Sequence, residues 1–209
     1  ALAGDMLLFP KGFDLNSYRV ILSDTTLWRA YGNTLLYVVV TTLLMLLFCT
    51  LCAYPLCMPG LLGKKAVVTY LLVPMYFSGG LIPTFLVMNR LGLYNNIWGV
   101  ILPVVTTTTG IFMYRQHYMS IPLSFVEAAR IDGANELQIF TRIMFPLGSS
   151  VTVTLTIFSF MWRWNDYILP LLVLSDQKKY TIQIAIKNFI GNLGVDWSSI
   201  LAASVLSIL

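Results

Sequence analysis

Four stretches of this chain contain no Asp, Glu, Lys or Arg: Ala30 to Gly63, Ala66 to Asn89, Leu91 to Tyr114 and Ile143 to Trp162. Each can hold the roughly 20 apolar residues that a helix needs to cross hydrocarbon. The remaining composition agrees, since 57% of the 209 residues are hydrophobic and 11% charged, against about 25% charged in an ordinary soluble domain. The reading is an all-α integral membrane protein with four complete spans. A fifth starts after Asp196, where "WSSILAASVLSIL" supplies about two thirds of a span. The chain opens in the polar segment "FPKGFDLNSYRVILSDTTLWRA" and not on Met. The expectation is therefore one membrane domain over residues 1–209, truncated at both ends, with no leader pattern in its first residues.

The spans are placed at Thr34 to Leu56, at Ala66 to about Met88, at about Ile97 to Tyr114, and at about Leu147 to Leu172. Pro74, Gly79, Gly80 and Pro83 predict a kinked second span packed within a bundle, where neighbouring helices re-satisfy the backbone. Trp98 and Tyr114 are expected at the interface, where amphipathic rings concentrate. Thr106 to Thr109 fall inside the third span, where hydroxyls bond their own backbone or a neighbouring helix.

Several function classes fall away. Cys49, Cys52 and Cys57 have no second pair and no nearby His, so they read as small apolar filler and not as a metal or redox site. His117 is alone and builds neither a metal site nor a triad. No G-x-x-x-x-G-K-S/T loop is present, so nucleotide chemistry belongs elsewhere. The net charge of +4 forms no basic face of the kind nucleic acid requires. An ion-coupled transporter needs acidic groups at mid-membrane depth, and Asp166 is the sole carboxylate near a span. A membrane-embedded enzyme needs several convergent ionisable groups within the spans, and none are visible.

The polar stretch "VEAARIDGANELQIFTRIMFP" stands out between these apolar runs. Ser124 and Glu127 have capping-box spacing, Gly133 suits a left-handed helix stop, and Asn135 with Gln138 repeats the start signal. The pattern predicts helix, glycine corner, helix over residues 124–146, with Leu137, Phe140 and Met144 on one face and an end at Pro146. Local physics leaves two roles open: an amphipathic element resting at the interface, or a docking device. "WRWNDY" is similarly open, with Trp164, Asn165 and Asp166 either bordering a water-filled path or, through an Arg163–Asp166 pair, anchoring the membrane edge. Counting charges does not orient the chain: Lys64, Lys65, Arg115, Arg130 and Arg142 on one side face a larger set on the other. The short Lys64–Lys65 turn favours its own side as cytoplasmic.

Glu127-Ala128-Ala129, three residues, Gly133, nine residues, then Ile143 and Pro146 resemble the EAA signature of ATP-binding-cassette importer permeases. Phe145 stands where that pattern has Leu. Asp132-Gly133-Ala134 looks like the form typical of the carbohydrate-uptake, maltose-permease-like branch. "FDLNSYRVIL", "GNTLLY", "FSGGLIPTFLVMNRLGLYNN" and "WNDYILPLLVL" are similar to segments of the same branch, and the glycine pair resembles its complex-oligosaccharide subgroup. The resemblance implies a type I importer permease of six spans in a bacterial cell membrane, with no catalysis of its own. It implies a second permease subunit, an ATPase dimer that carries ATP and Mg, an external sugar-binding lipoprotein and a sugar or oligosaccharide substrate. It makes the hairpin a cytoplasmic coupling helix, with Glu127, Ala128, Ala129, Asp132, Gly133, Ala134, Ile143 and Pro146 as its signature, and it places residues 1–30 and 173–196 outside. A permease for a non-sugar solute is the alternative.

Overall fold

The computed structural model describes residues 23–77 and 79–192, together with Val205. The fifth span expected after Asp196 and the opening segment around Lys11 lie outside the described residues. The described chain is helical, and its first helix, α1 (Thr25–Cys57), runs for 33 residues, about 50 Å at 1.5 Å per residue. It starts nine residues before the expected span. The Asp24 carboxylate accepts from Thr26 N–H at 2.7 Å, and this cap lets the helix form in the polar approach to the membrane, where hydropathy gives no signal.

The other expected spans are broken helices. α2 (Lys64–Tyr76) and α3 (Leu81–Arg90) meet at 113°. α4 (Ile97–Ile101), with a 3-10 turn Leu102–Val104, meets α5 (Thr108–Ser120) at 44°. α6 (Ser124–Ile131) leads through the glycine corner to α7, which runs Glu136–Leu147 and meets α8 (Ser149–Trp164) at 70°. α9 (Ile168–Val173) and α10 (Ile182–Asn192) follow. Among the described residues only α1 is long and apolar enough to span alone, and counting each bent pair as one span gives up to four.

α1 is the mast of the bundle, packed on α5, α8, α10 and α4. Its contact with α5 is close because Gly110 faces Cys49: a Cβ on Gly110 would stand 2.7 Å from Thr107 Oγ1 and 3.0 Å from Cys49 Sγ. Small residues let helices approach in lipid, and the buried Cys49 is filler here, as its sequence context suggests. Hydroxyl pairs stitch the same seams: Thr42 with Ser159, Thr50 with Tyr118, and Tyr114 with Thr152.

Several expectations need correcting. None of the residues of α2 or α3 is fully buried; the kinked second span lies at the edge of this chain's bundle, with Val68 and Leu71 packed partly against its core. Tyr114 is fully buried and not an interfacial anchor, because α5 continues to Ser120. The threonine run is where that span breaks, and Thr107 Oγ1 caps α5 by accepting from Gly110 N–H at 3.1 Å. The fourth span is divided by Gly148 and by Asn165–Tyr167 into a 16-residue helix and a short one.

Candidate docking hairpin

α6 is amphipathic on a short scale. Val126 and Ala129, three residues apart, are buried in the core shared by Leu56, Met58, Tyr118 and Met144. The opposite side points away from the protein: Phe125 is 54% exposed and Ile131 86%, and Glu127 and Ala128 are exposed between them. Ser124 is the first helical residue and not the cap. The N-cap is Leu123, without a side-chain bond, so the Ser124–Glu127 capping box does not form. The carbonyls of Pro122 and Leu123 already accept from Phe125, Val126 and Glu127 N–H, which leaves the hydroxyl no orphan donors to satisfy.

The corner forms as its glycine dictates. Gly133 sits at φ +81°, with Ala134 N–H donating to Ala129 O at 2.9 Å and Gly133 N–H to Arg130 O at 3.1 Å, the paired bonds of a Schellman stop. Asn135 and Gln138 then make a reciprocal capping box, each bond 2.9 Å. α7 buries Ile139, Phe140 and Met144. Leu137 is 68% exposed and so belongs to the outer face, against the expected grouping. Pro146 does not end the helix. Residues Phe140–Met144 widen into a π-turn, with Phe145 N–H donating to Phe140 O. The wider turn gives room for a ring that has no N–H to offer and would crowd the carbonyl four residues back. The stop falls at Gly148.

A network unseen in the sequence fastens the hairpin to α1. Arg130 donates to Glu136 Oε1 from Nε at 3.0 Å and Nη2 at 2.7 Å, and Tyr54 O–H donates to Glu136 Oε2 at 2.6 Å. The Tyr54 hydroxyl, then the Arg130 guanidinium, hold the Glu136 carboxyl below its ordinary value. Arg130 and Glu136 flank Gly133 with opposite charges, which is a local signal. Tyr54 has none, because only the fold brings it there.

The signature residues therefore divide. Ala129 is buried, Ala134 and Ile143 pack partly against the core, while Glu127, Ala128, Asp132, Gly133 and Pro146 are exposed. Trp164, Asn165 and Asp166 do not join them. They lie at the far end of α8, where the Trp164 ring meets Tyr31 edge-on at 5.1 Å, roughly 35 Å along α1 from Tyr54. Asp166 Oδ2 accepts from Arg163 Nη1 at 2.8 Å, and Asn165 Nδ2 donates to Met161 O at 2.8 Å. Among the described residues, no group of three His, Cys, Asp or Glu side chains could hold a metal ion.

Comparison with known proteins places this architecture. Residues 56–209 match the family described as binding-protein-dependent transport system inner membrane component. Protein LplC of Bacillus subtilis (strain 168) is 33% identical over 180 residues, 86% of this chain and 61% of that protein. The polygalacturonan/rhamnogalacturonan transport system permease protein YtcP of the same strain is 33% identical over 184 residues, 88% of this chain and 64% of that protein. The chain thus spans under two thirds of the length of both relatives. A chain from the crystal structure of a bacterial ABC transporter involved in import of the acidic polysaccharide alginate superposes with a TM-score of 0.89 at 30% identity, covering 98% of this chain and 78% of that one. The chain belongs to the family of binding-protein-dependent transport system inner membrane components, and its bundle has the ABC importer permease fold.

Proposed function

We propose that this chain is a permease subunit that moves a sugar or oligosaccharide into a bacterial cell, and that hairpin 124–146 receives the movement of a separate ATPase. The observation that carries this reading is the two-faced hairpin. Leu123, Phe125, Ile131 and Leu137 form an exposed apolar surface around Glu127 and Ala128, while Val126, Ala129, Ile139 and Met144 are set in the core with Leu56 and Tyr118. A cleft that accepts the outer face pushes on α1 and α5 through the inner one.

In this reading the hairpin is cytoplasmic, with Lys64 and Arg130 inside and Lys178 outside. An external binding protein delivers the sugar to the opposite end; a bacterial alginate ABC transporter of similar fold has been solved in complex with an alginate pentasaccharide-bound periplasmic protein. A second permease completes the path, and an ATPase dimer carries ATP and Mg. The sugar assignment is supported by the likeness to YtcP, a polygalacturonan/rhamnogalacturonan transport permease, and to the alginate importer; a non-sugar solute is the alternative. Ion coupling is disfavoured by the Arg163–Asp166 pair, which neutralises the carboxylate that such a mechanism would use.

The test is Glu127→Ala in the complete transporter, reconstituted with its ATPase, second permease and binding protein. Removing one partner of a buried charged contact costs roughly 2–5 kcal/mol, whereas an exposed residue that caps nothing costs the fold little. Assembly should survive while uptake and stimulation of ATPase by loaded binding protein fall together. Normal uptake by Glu127→Ala would reduce the hairpin to an interfacial element.

A further inference from the structure

Where the hairpin runs into the span behind it, α7 and α8 meet at 70° with Gly148 between them. Sharp bends fall at Gly–Ser pairs such as Gly148–Ser149, and a glycine there reads as a hinge. Its backbone does not use that freedom, since φ −77° is open to any residue. What the position requires is space. A Cβ on Gly148 would stand 3.0 Å from Tyr118 Cε1, 3.1 Å from the Tyr118 hydroxyl and 3.4 Å from Met144 O, so the glycine lets the tyrosine ring lie against the corner.

Two adjacent residues near the end of α5 hold this corner. The bend leaves Leu147 O without a backbone N–H among the described residues, and His117 Nε2 lies 2.9 Å from it. A carbonyl oxygen only accepts, so Nε2 carries the proton and donates. Tyr118 is 2% exposed; its ring meets Gly148, and its hydroxyl pairs with Thr50 Oγ1 of α1 at 2.5 Å. These contacts join α5, the corner and α1. The first helix of the hairpin is held differently: between α6 and the end of α1 a partly open cavity of about 230 Å³ is lined by Met58, Tyr118, Leu123, Val126 and Met144. Close-packed contacts transmit strain and a void does not. The route from the hairpin without slack therefore runs through the corner.

We propose that His117 and Tyr118 are positioning residues for transport: they clamp the Leu147–Gly148 corner into a rigid crank, so that displacement of the hairpin turns α8 and, through the Thr50 bond, draws on α1 instead of flexing at the glycine. The proposal rests on the permease reading above. His117 holds the carbonyl on one side of the bend, and Tyr118 fills the space beside the glycine on the other. With the clamp open, the ATPase still moves the hairpin, but the corner absorbs the stroke and less solute crosses for each ATP hydrolysed.

The experiment uses the complete transporter in proteoliposomes with its ATPase, second permease and external binding protein. The solute is whichever of oligogalacturonides, alginate oligosaccharides, arabino-oligosaccharides and glycerol 3-phosphate the wild type moves fastest. Tyr118→Phe and Thr50→Val each remove the hydroxyl bond; His117→Leu removes the donor to the corner and His117→Gln keeps an N–H. Ser159→Ala breaks the buried Thr42–Ser159 pair, a bond of the same kind about three turns further along α8. The readouts are assembly, solute moved per ATP hydrolysed, and the distance between spin labels at Thr141 and Val153, exposed positions on the two arms of the corner. Wild type should keep one narrow distance through the ATP cycle. Tyr118→Phe, Thr50→Val and His117→Leu should broaden it and move about fivefold less solute per ATP, the effect of one internal hydrogen bond, with His117→Gln near wild type and Ser159→Ala unchanged in both readouts. An unchanged ratio and distance in Tyr118→Phe and His117→Leu, or an equal loss in Ser159→Ala, overturns the clamp. Lost assembly with an unchanged ratio per assembled complex overturns it too, since the contacts are then only structural. Loss of uptake in Glu127→Ala with none in the clamp variants overturns the clamp alone, whereas wild type that moves none of the four solutes overturns the permease reading and the clamp with it.

Discussion

The hairpin and the loops around Asn95 and Lys179 are fastened by different chemistry. At the hairpin end the tie is between side chains: Arg130 and Glu136 pair at 2.7 Å in the open, each about half exposed, and Tyr54 completes the set. At the opposite end side chains grip backbone. Asn33 Nδ2 donates to Lys178 O at 2.8 Å and Tyr180 O at 3.2 Å, Tyr37 O–H to Lys179 O at 2.9 Å, and Lys179 Nζ to Asn95 O at 2.6 Å. Asn95 also accepts from Ser175 and Asp176 N–H through Oδ1 and donates its own N–H to Val173 O at 2.7 Å. An exposed ion pair contributes little and can be traded for another partner. A loop held by its carbonyls has no comparable exchange. The difference fits the proposed reading, in which the hairpin end transmits and the far end holds a shape.

The largest effect expected from this contrast is at Gly133. A Cβ there meets nothing within 4 Å, so Gly133→Val has room, but φ +81° excludes a β-branched residue. Keeping the corner would cost about 1–3 kcal/mol of strain, and relaxing it swings α7 away from α6. Uptake should fall more than in Glu127→Ala, with near-normal amounts of the chain in the membrane. Retained uptake would break the comparison at its transmitting end.

Next in size is Asn95, at φ +53°. Asn95→Ala removes the acceptor for two N–H groups, about 1–3 kcal/mol, and adds the left-handed penalty of a residue with no local hydrogen bond, about 1–2 kcal/mol. Asn95→Gly loses only the first. Thermal unfolding of the purified complex should rank wild type, Gly, then Ala, while the ATP hydrolysed per solute moved stays constant for whatever remains folded. A change in that ratio would show that the far end also transmits.

What could be read from the sequence was local. The Gly133 stop and the Asn135–Gln138 box depend on residues within a turn of one another, and both formed. The Ser124 box has the same spacing and did not form, because Leu123 already has helical backbone angles and the helix begins at Ser124 itself. Charge-free runs agree with up to four candidate crossings among the described residues, each bent pair counted as one, but they do not give continuous helices: breaks at Val105–Thr107, Gly148 and Asn165–Tyr167 are invisible to hydropathy, which averages over them. The division of the signature into buried Ala129 and exposed Ala128 follows from helical period once the core side is known. The Tyr54 contact to Glu136 and the Tyr31 contact to Trp164 join residues far apart in sequence, and no local rule anticipates either.

The smallest effect sharpens the comparison through acid and salt. Tyr54→Phe removes one hydroxyl and leaves the ring against Phe140, whose centroid lies 5.4 Å away. Glu136 then keeps Arg130 but loses the largest cause of its lowered carboxyl value. A carboxyl held below its unfolded value stabilises the fold fully above that value, about 4.3 for Glu, and the contribution fades as pH falls through the folded one. The difference in thermal stability between wild type and Tyr54→Phe should therefore be small and flat from about pH 6 to 8, and should shrink only below about pH 4.3. Added salt should weaken the Arg130–Glu136 tie, since exposed charges are screened beyond about 8 Å at physiological ionic strength and more steeply above it. The Asn33 contacts and those of the Asn95 side chain and N–H join neutral groups and should not respond. A spin-label pair placed across the hairpin and α1 reads the tie directly: the distance distribution should broaden in acid or high salt, while a pair across the Asn95 loop and α1 stays narrow. Equal broadening at both ends would erase the distinction between a tether and a lock.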